Sequence, residues 1–176
     1  SSIITSKARR EIMRLFFQNL HESYHLRRVS RELDLEINAV KRELDILEDA
    51  KVLHKEKRLN KSIYSINPRY YFFDEFLRLY SKEIPMVKKI LKNQSRLGKI
   101  KYLAMSLKLA RKEKIKESEV YMLFVGVVVA PEVQKIMKDA QADMPFDVNY
   151  TVMDEEEFNY RKKKSDPFLW GFLKEP

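Results

Sequence analysis

The decisive stretch runs His25-Leu26-Arg27-Arg28-Val29-Ser30-Arg31-Glu32-Leu33-Asp34-Leu35-Glu36-Ile37-Asn38. It continues Ala39-Val40-Lys41-Arg42-Glu43-Leu44-Asp45-Ile46-Leu47-Glu48-Asp49-Ala50-Lys51-Val52-Leu53. Leu26, Val29 and Leu33 share one helical face in the first part, and Val40, Leu44 and Leu47 share one in the second. The join, Asp34-Leu35-Glu36, has room for a tight turn and nothing longer. Two short amphipathic helices joined in this way make a helix-turn-helix, a motif that sets its second helix in a major groove. A basic hairpin follows, from Val52 through the tip Lys57-Arg58-Leu59-Asn60-Lys61 to Ile66. Helix, turn, helix and hairpin in that order predict a winged helix.

Outside this stretch the bulk numbers set bounds. A chain of 176 residues with 44% hydrophobic content can bury a core and suits one ordinary domain or two small ones. No apolar run approaches the roughly 20 residues needed to span a bilayer. There is no signal-peptide pattern and no cysteine, which fits a reducing cytoplasm. The chain begins Ser1-Ser2-Ile3, without Met. A formal net charge of +9 favours a polyanionic partner, nucleic acid before anionic membrane. That charge is not concentrated on the helix-turn-helix: residues 1–84 hold 17 Lys and Arg against 13 Asp and Glu, and the remainder holds 18 against 13. Only local placement can single out a binding face.

Ser6 to Phe17 predicts a first helix capped by Ser6 or Thr5, with Ile12, Leu15, Phe16 and Leu20 towards the core. Lys7, Arg9, Arg10 and Arg14 would face solvent. On the second helix of the motif, with Val40, Leu44 and Leu47 inward, Asn38, Lys41, Arg42 and Asp45 point outward. Asn pairs with adenine and Arg or Lys with guanine, so this set suits base edges. The alternatives are that Lys41 and Arg42 touch phosphate alone or form salt links with Glu43 and Asp45. Lys57, Arg58 and Lys61 at the hairpin tip suit phosphate or the minor groove, having no obvious neutralising neighbour. Arg27 and Arg28 complete the expected contact set. Tyr70 to Tyr80 is rich in aromatics; Phe76, Leu79 and Tyr80 lie at helical spacing and predict packing or dimerisation rather than base stacking. Pro85 interrupts, and Asn93 to Gly98 reads as a linker.

Residues 3–80 resemble the winged-helix domain of ArsR-like bacterial and archaeal regulators. The likeness is carried by Ser6-Lys7-Ala8-Arg9, by Ala39-Val40-Lys41-Arg42-Glu43-Leu44, by the hinge Ala50-Lys51-Val52-Leu53 and by the close Tyr64-Ser65-Ile66-Asn67-Pro68. Asp34 and Glu36 depart from it, standing where the family often has Gly in the turn and Ser at the helix cap. Asp tolerates a left-handed turn, whereas Glu is a poorer cap and places acid at the reading end. The resemblance implies a DNA-binding regulator of transcription, a homodimer on double-stranded DNA, answering to a small-molecule or protein effector.

From Lys99 the pattern shifts towards strands: Ile100 to Met105, the near-continuous apolar Val120 to Val125, and Asp147 to Met153. Helices are predicted from Pro131 to Ala142, with Val133, Ile136, Met137 and Ala140 inward, and from Asp154 to Lys163, with a last apolar turn after Asp166. This half is similar to the small nucleotidyltransferase domain appended to regulators of the same group. The segments that carry the likeness are Met105-Ser106, Glu117 to Gly126, Asn149 to Val152 and Asp166 to Leu169. The resemblance also implies a chain that runs on beyond Pro176. Active members have Gly-Ser at the corner, so that backbone can close on phosphate, and Asp-x-Asp on the strand, so that two acids share a face and hold Mg²⁺. Here Met105 replaces the Gly, Glu119 stands at the first acid and the neutral phenol Tyr121 at the second. Lys108, Arg111, Lys112, Lys114 and Lys116 fill what reads as a loop between corner and strand.

The expected fold class is therefore α+β. It comprises a winged helix-turn-helix over residues 1–84, a helical linker over 85–98 and a small, degenerate nucleotidyltransferase-like α/β domain over 99–176. No catalytic residue, metal or cofactor is expected, since the Gly-Ser and Asp-x-Asp motif is degenerate, and His21, His25 and His54 are scattered, with no Cys to give zinc spacing. Two alternatives stand beside the regulator: a divergent nucleotidyltransferase using Ser106 and Glu119, and an antitoxin-like protein-interaction module.

Overall fold

Ser6 opens the first helix, α1 (Lys7–Gln18), its hydroxyl accepting the Arg9 amide in the manner expected of an N-cap. This computed structural model describes residues 6–174; Thr5, the alternative cap, and the extreme termini lie outside them. Two compact units divide the chain, Ser1–Tyr80 and Ser81–Pro176.

In the first unit, α1 is followed by a short strand β1 (Ser23–His25), helix α2 (Leu26–Leu33), helix α3 (Ile37–Asp49), and the hairpin β2 (Leu53–Arg58) and β3 (Lys61–Ile66). The sheet is antiparallel throughout, in the order β1-β3-β2. Two helices, a tight turn and a flanking antiparallel hairpin make this unit a winged helix-turn-helix. Asp34 ends α2 at φ 50 and ψ 49, the left-handed conformation an Asp accepts. The Ser30 hydroxyl donates to the Leu35 carbonyl at 2.7 Å, and the Leu35 amide donates to the Ser30 carbonyl, bracing the turn.

Val29, Val40, Leu44 and Leu47 are buried, as their spacing predicts. On α1 the core takes Ile12, Met13, Phe16 and Phe17, whereas Leu15 and Leu20 are half-buried. Phe17 explains much of the aromatic segment that follows the wing. Its ring packs on Phe73, Phe76 and Tyr80 of α4 (Phe73–Ser81), with centroids at 5.7, 5.8 and 5.5 Å. Leu77, Tyr80 and Ser81 are the buried members of that helix, and Leu79 is exposed. Buried Asn67 ties the end of β3 to the α3–β2 hinge, its Nδ2 donating to the Lys51 carbonyl at 2.7 Å.

The second unit opens with α5 (Pro85–Lys92), a 3₁₀ turn (Gln94–Arg96) and strand β4 (Gly98–Met105). Then come α6 (Leu107–Arg111), β5 (Met122–Val128), α7 (Ala130–Gln141), β6 (Tyr150–Met153), α8 (Glu155–Lys163) and α9 (Pro167–Lys174). The sheet order is β4-β5-β6; β4 runs antiparallel to β5, and β6 runs parallel to it after the crossover through α7. Residues 85–98, read from sequence as a linker, belong to this unit: Met86, Val87 and Ile90 are buried and α5 packs on α7. Lys89 reinforces that packing through an ion pair with Asp143 at 2.8 Å. Val133, Ile136, Met137 and Ala140 are buried on α7, as expected. A layer formed by Leu123, Val125, Met153, Phe158 and Leu169 joins the sheet to α8 and α9. Residues 107–111 are helical rather than loop, because Ser106 caps them and Leu107, Leu109 and Ala110 bury one face. No helix among the described residues is long and apolar enough to cross a membrane.

Candidate nucleic-acid interface

Glu36, the poor cap by composition, is nevertheless the N-cap of α3. Its two carboxylate oxygens accept the Asn38 and Ala39 amides, each at 2.8 Å. Those amide donors hold its carboxyl below the usual carboxylate range. The acid at the start of α3 is thus directed at its own helix dipole. A carboxyl lowered in the folded state stabilises above the unfolded pKa of about 4.3 and loses that contribution as pH falls through the folded value. Thermal unfolding of wild type and Glu36→Ala should accordingly differ most near neutrality and converge in acid.

Asn38, Lys41 and Arg42 are exposed on the outer face of α3, opposite Val40, Leu44 and Leu47. The acids that might have neutralised them are engaged elsewhere. Glu43 accepts from Ser6 Oγ and from Arg9 Nε, both at 2.7 Å, joining α1 to α3. Asp45 pairs with Lys55 on β2 at 3.4 Å, joining α3 to the wing. Among the described residues neither Lys41 nor Arg42 enters an ion pair, so the salt-link alternative is not what this structure adopts. The Glu43 contacts also hold α1, and Glu43→Ala should cost about 1–2 kcal/mol in denaturant unfolding, a charge-assisted bond discounted for the exposure of Arg9.

The other cations divide. Arg27 is exposed. Arg28 is committed: it donates to Glu32 at 2.6 Å, to Glu22 at 3.2 Å and to the Ser23 carbonyl at 3.1 Å. Its guanidinium lies 4.3 Å from the centre of the Tyr24 ring. Burial first, and the Glu32 charge second, push the Tyr24 phenol up to about 12. His25 is also accounted for, since its Nδ1 accepts the Arg28 amide and caps α2.

On the wing, Lys57, Arg58 and Lys61 are all exposed. Arg58 does have a neutralising neighbour, contrary to the sequence reading: it donates to Glu56 at 2.9 Å, because residues two apart share a strand face. Both side chains of that pair are well exposed, so solvent screens it and an incoming phosphate can compete. Leu59, at the turn, is 99% exposed with φ 54, a feature that composition and periodicity did not single out.

The second unit carries a cavity of about 260 Å³ lined by Ser106, Lys108, Lys116, Glu119, Phe168 and Phe172, among others. Three of the four segments that carried the sequence likeness of this half therefore meet at one place. Glu119 accepts from Lys108 Nζ at 3.1 Å and from the Lys116 amide at 3.2 Å, and these donors hold its carboxyl below the usual range. It lies before β5 rather than on it. Tyr121 does not line the cavity: its hydroxyl donates to the Glu113 carbonyl at 2.8 Å and its ring packs on Phe146. Met105, which stands in place of the Gly, does not line it either. Among the described residues no three His, Asp or Glu side chains are placed to share a metal ion.

No family model matches the chain, and no curated protein does. Three solved structures are similar to it at low identity. One is described as a possible transcriptional regulator from Methanosarcina mazei Go1, 16% identical, with 52% of this chain and 78% of that one covered and a TM-score of 0.37. A second is Sso10a-2, a DNA-binding protein from Sulfolobus solfataricus, 15% identical over 52% and 90% of the two chains, with a TM-score of 0.36. The third is a mutant of ZitR from Lactococcus lactis, 14% identical over 56% and 63%, with a TM-score of 0.38.

Proposed function

We propose that this chain is a DNA-binding transcriptional regulator that reads double-stranded DNA with α3 and the β2–β3 wing. The observation that carries the reading is local. Glu36 is spent on the α3 cap, Glu43 on Arg9 and Asp45 on Lys55. Lys41 and Arg42 therefore stay exposed on the outer face with no ion pair among the described residues, Glu36 reaching Arg42 only through its field and Asn38 lying beside the cap. Arg27, Lys57, Arg58 and Lys61 extend the cationic surface for phosphate, while Arg28 serves the fold at the start of α2. Fluorescence anisotropy with duplexes enriched from genomic fragments tests this reading. Salt-sensitive, sequence-preferring binding supports it, and its absence at low salt refutes it.

The working form in this reading is an ArsR-like homodimer. Tyr71, Phe72 and Leu79 support it: they stay exposed beside the Phe17 cluster, at 86%, 49% and 45%. Light scattering should then return twice the 21.1 kDa of one chain. The second unit is, in this proposal, a nucleotidyltransferase-like accessory domain without catalysis that receives a small-molecule or protein effector. The Mg²⁺ that active relatives of such domains use does not fit the residues present. Among the described residues only one carboxylate, Glu119, reaches the cavity; it is already ion-paired, and Tyr121 points elsewhere.

The cavity itself favours a second reading, a divergent nucleotidyltransferase using Ser106 and Glu119. Incubation with labelled nucleoside triphosphates, Mg²⁺ or Mn²⁺ and candidate acceptors decides between them. Label transfer abolished by Glu119→Ala would replace the regulatory role of this unit with an enzymatic one.

A further inference from the structure

The tip of the wing carries a residue that the fold has no use for. Leu59 is 99% exposed and sits at φ 54, between Arg58 and Lys61, which pair across the last rung of the hairpin. In a two-residue hairpin turn the position with positive φ is the natural place of Gly, Asn or Asp. A leucine there takes on backbone strain and leaves its whole apolar side chain in water, so it costs the free protein strain and returns no burial. None of the described residues covers it, and none packs against it to repay that strain. The residues around it are cationic: Lys57, Arg58 and Lys61 all reach solvent within two positions of it.

We infer that Leu59 is an apolar wedge that enters the minor groove and opens a base step of the DNA held by α3, bending the duplex. The inference rests on the proposal that the first unit binds DNA. Charge complementarity points to this occupant, since cations beside an inserted aliphatic side chain lie where the phosphates of a narrow groove converge. A bilayer is the poorer match. One leucine buries too little apolar surface to hold a protein on a membrane, where stable attachment takes two signals. A single aliphatic side chain is, by contrast, enough to unstack a base step and kink a duplex. The wing reads deformability rather than base edges, and pyrimidine–purine steps, which unstack most easily, are its preferred targets.

The experiment uses the full chain and a 30-base-pair duplex rich in TA and CA steps, labelled at its ends for energy transfer. Wild type should bind and shorten the end-to-end distance. Leu59→Ala and Leu59→Gly should bind about tenfold more weakly, the loss expected when one buried aliphatic contact is removed, and should leave the duplex straight. Leu59→Phe should keep the bend. The slope of log affinity against log salt should not change in any of the three, because no phosphate contact is altered. Leu59→Gly suits the turn, so its melting temperature should equal or exceed that of wild type, which removes misfolding as an explanation. A Leu59→Ala protein that binds and bends like wild type overturns the wedge while leaving the DNA-binding proposal standing. A wild type that binds no duplex refutes that proposal first. Binding of wild type, but not Leu59→Ala, to phosphatidylserine vesicles with no bending of DNA would assign the tip to a membrane and overturn the inference.

Discussion

Replacing Lys41 and Arg42 together with alanine should weaken duplex binding by about a hundredfold, combining the loss of a base-directed Arg contact with that of a phosphate-directed Lys. Both side chains are exposed, so the double variant should melt within about 0.5 kcal/mol of wild type, as surface substitutions do. The salt dependence separates the two kinds of contact. Each lost phosphate contact lowers the slope of log affinity against log salt by about 0.9, whereas a lost base contact flattens the preference among sequences. Asn38→Ala should act in the second way alone, having no charge to release counterions. Anisotropy titrations at several salt concentrations, on an enriched duplex and a scrambled one, measure all of this. Unchanged affinity and slope in the double variant would remove α3 from the interface. The expectation is sharp because of what the neighbouring acids do. Had Glu43 and Asp45 paired with Arg42 and Lys41, binding would have had to break those pairs first; instead Arg9 and Lys55 hold the acids in place.

Gly126→Ala should strongly destabilise the second unit. Gly126 has φ 142, and a Cβ built there would stand 2.3 Å from the Lys99 carbonyl oxygen and 2.9 Å from the Lys101 amide nitrogen. Both obstacles are backbone of the neighbouring strand, at the bulge where the β4–β5 register shifts between Ile100 and Tyr102. No side chain can swing aside to make room, so the ladder itself must part. A loss of about 3 kcal/mol or more is expected, lowering the melting temperature by about 10–20 °C for a unit of this size. Trp170, the sole tryptophan, lies in this unit and reports its unfolding by fluorescence. Gly171→Ala supplies the contrast. It lies within α9 with nothing inside 4 Å of the added Cβ, and should stabilise by about 0.5–1 kcal/mol through helix propensity. Equal melting of Gly126→Ala and wild type would mean that the bulge relaxes at no cost.

The first unit was readable because its signals are periodic and local. Val29, Val40, Leu44 and Leu47 could be assigned inward from spacing alone, and a three-residue join between two such helices admits little but a turn. Strand β1 was not readable: Ser23-Tyr24-His25 is too short to show alternation, and it exists because β3 offers it a pairing edge. Helix α6 escaped for a related reason. Five residues carry no periodicity, and their lysine and arginine suggested a loop, yet the Ser106 cap and three buried apolar side chains make a helix of them. In the candidate site, residue type identified the outward cations but could not say which had partners. Arg28 and Arg42 look alike in sequence; one is ion-paired with Glu22 and Glu32, and the other enters no ion pair among the described residues.

By itself the sequence determined the helix-turn-helix with its wing, the helices α7 and α8 and the buried central strand of the second unit. In each of these the apolar spacing or capping pattern lies within one element. Only the tertiary structure decided where the charges go. An ion pair such as Glu43 with Arg9 spans 34 residues, and no local pattern records which acid a cation will meet once the helices pack. It likewise decided that residues 85–98 belong to the second unit and that Tyr121 turns away from the cavity, since both depend on what a distant element covers. Leu59 needed both. The chain supplied an aliphatic residue among cations, and the hairpin's closure put it at a left-handed turn with its side chain in solvent.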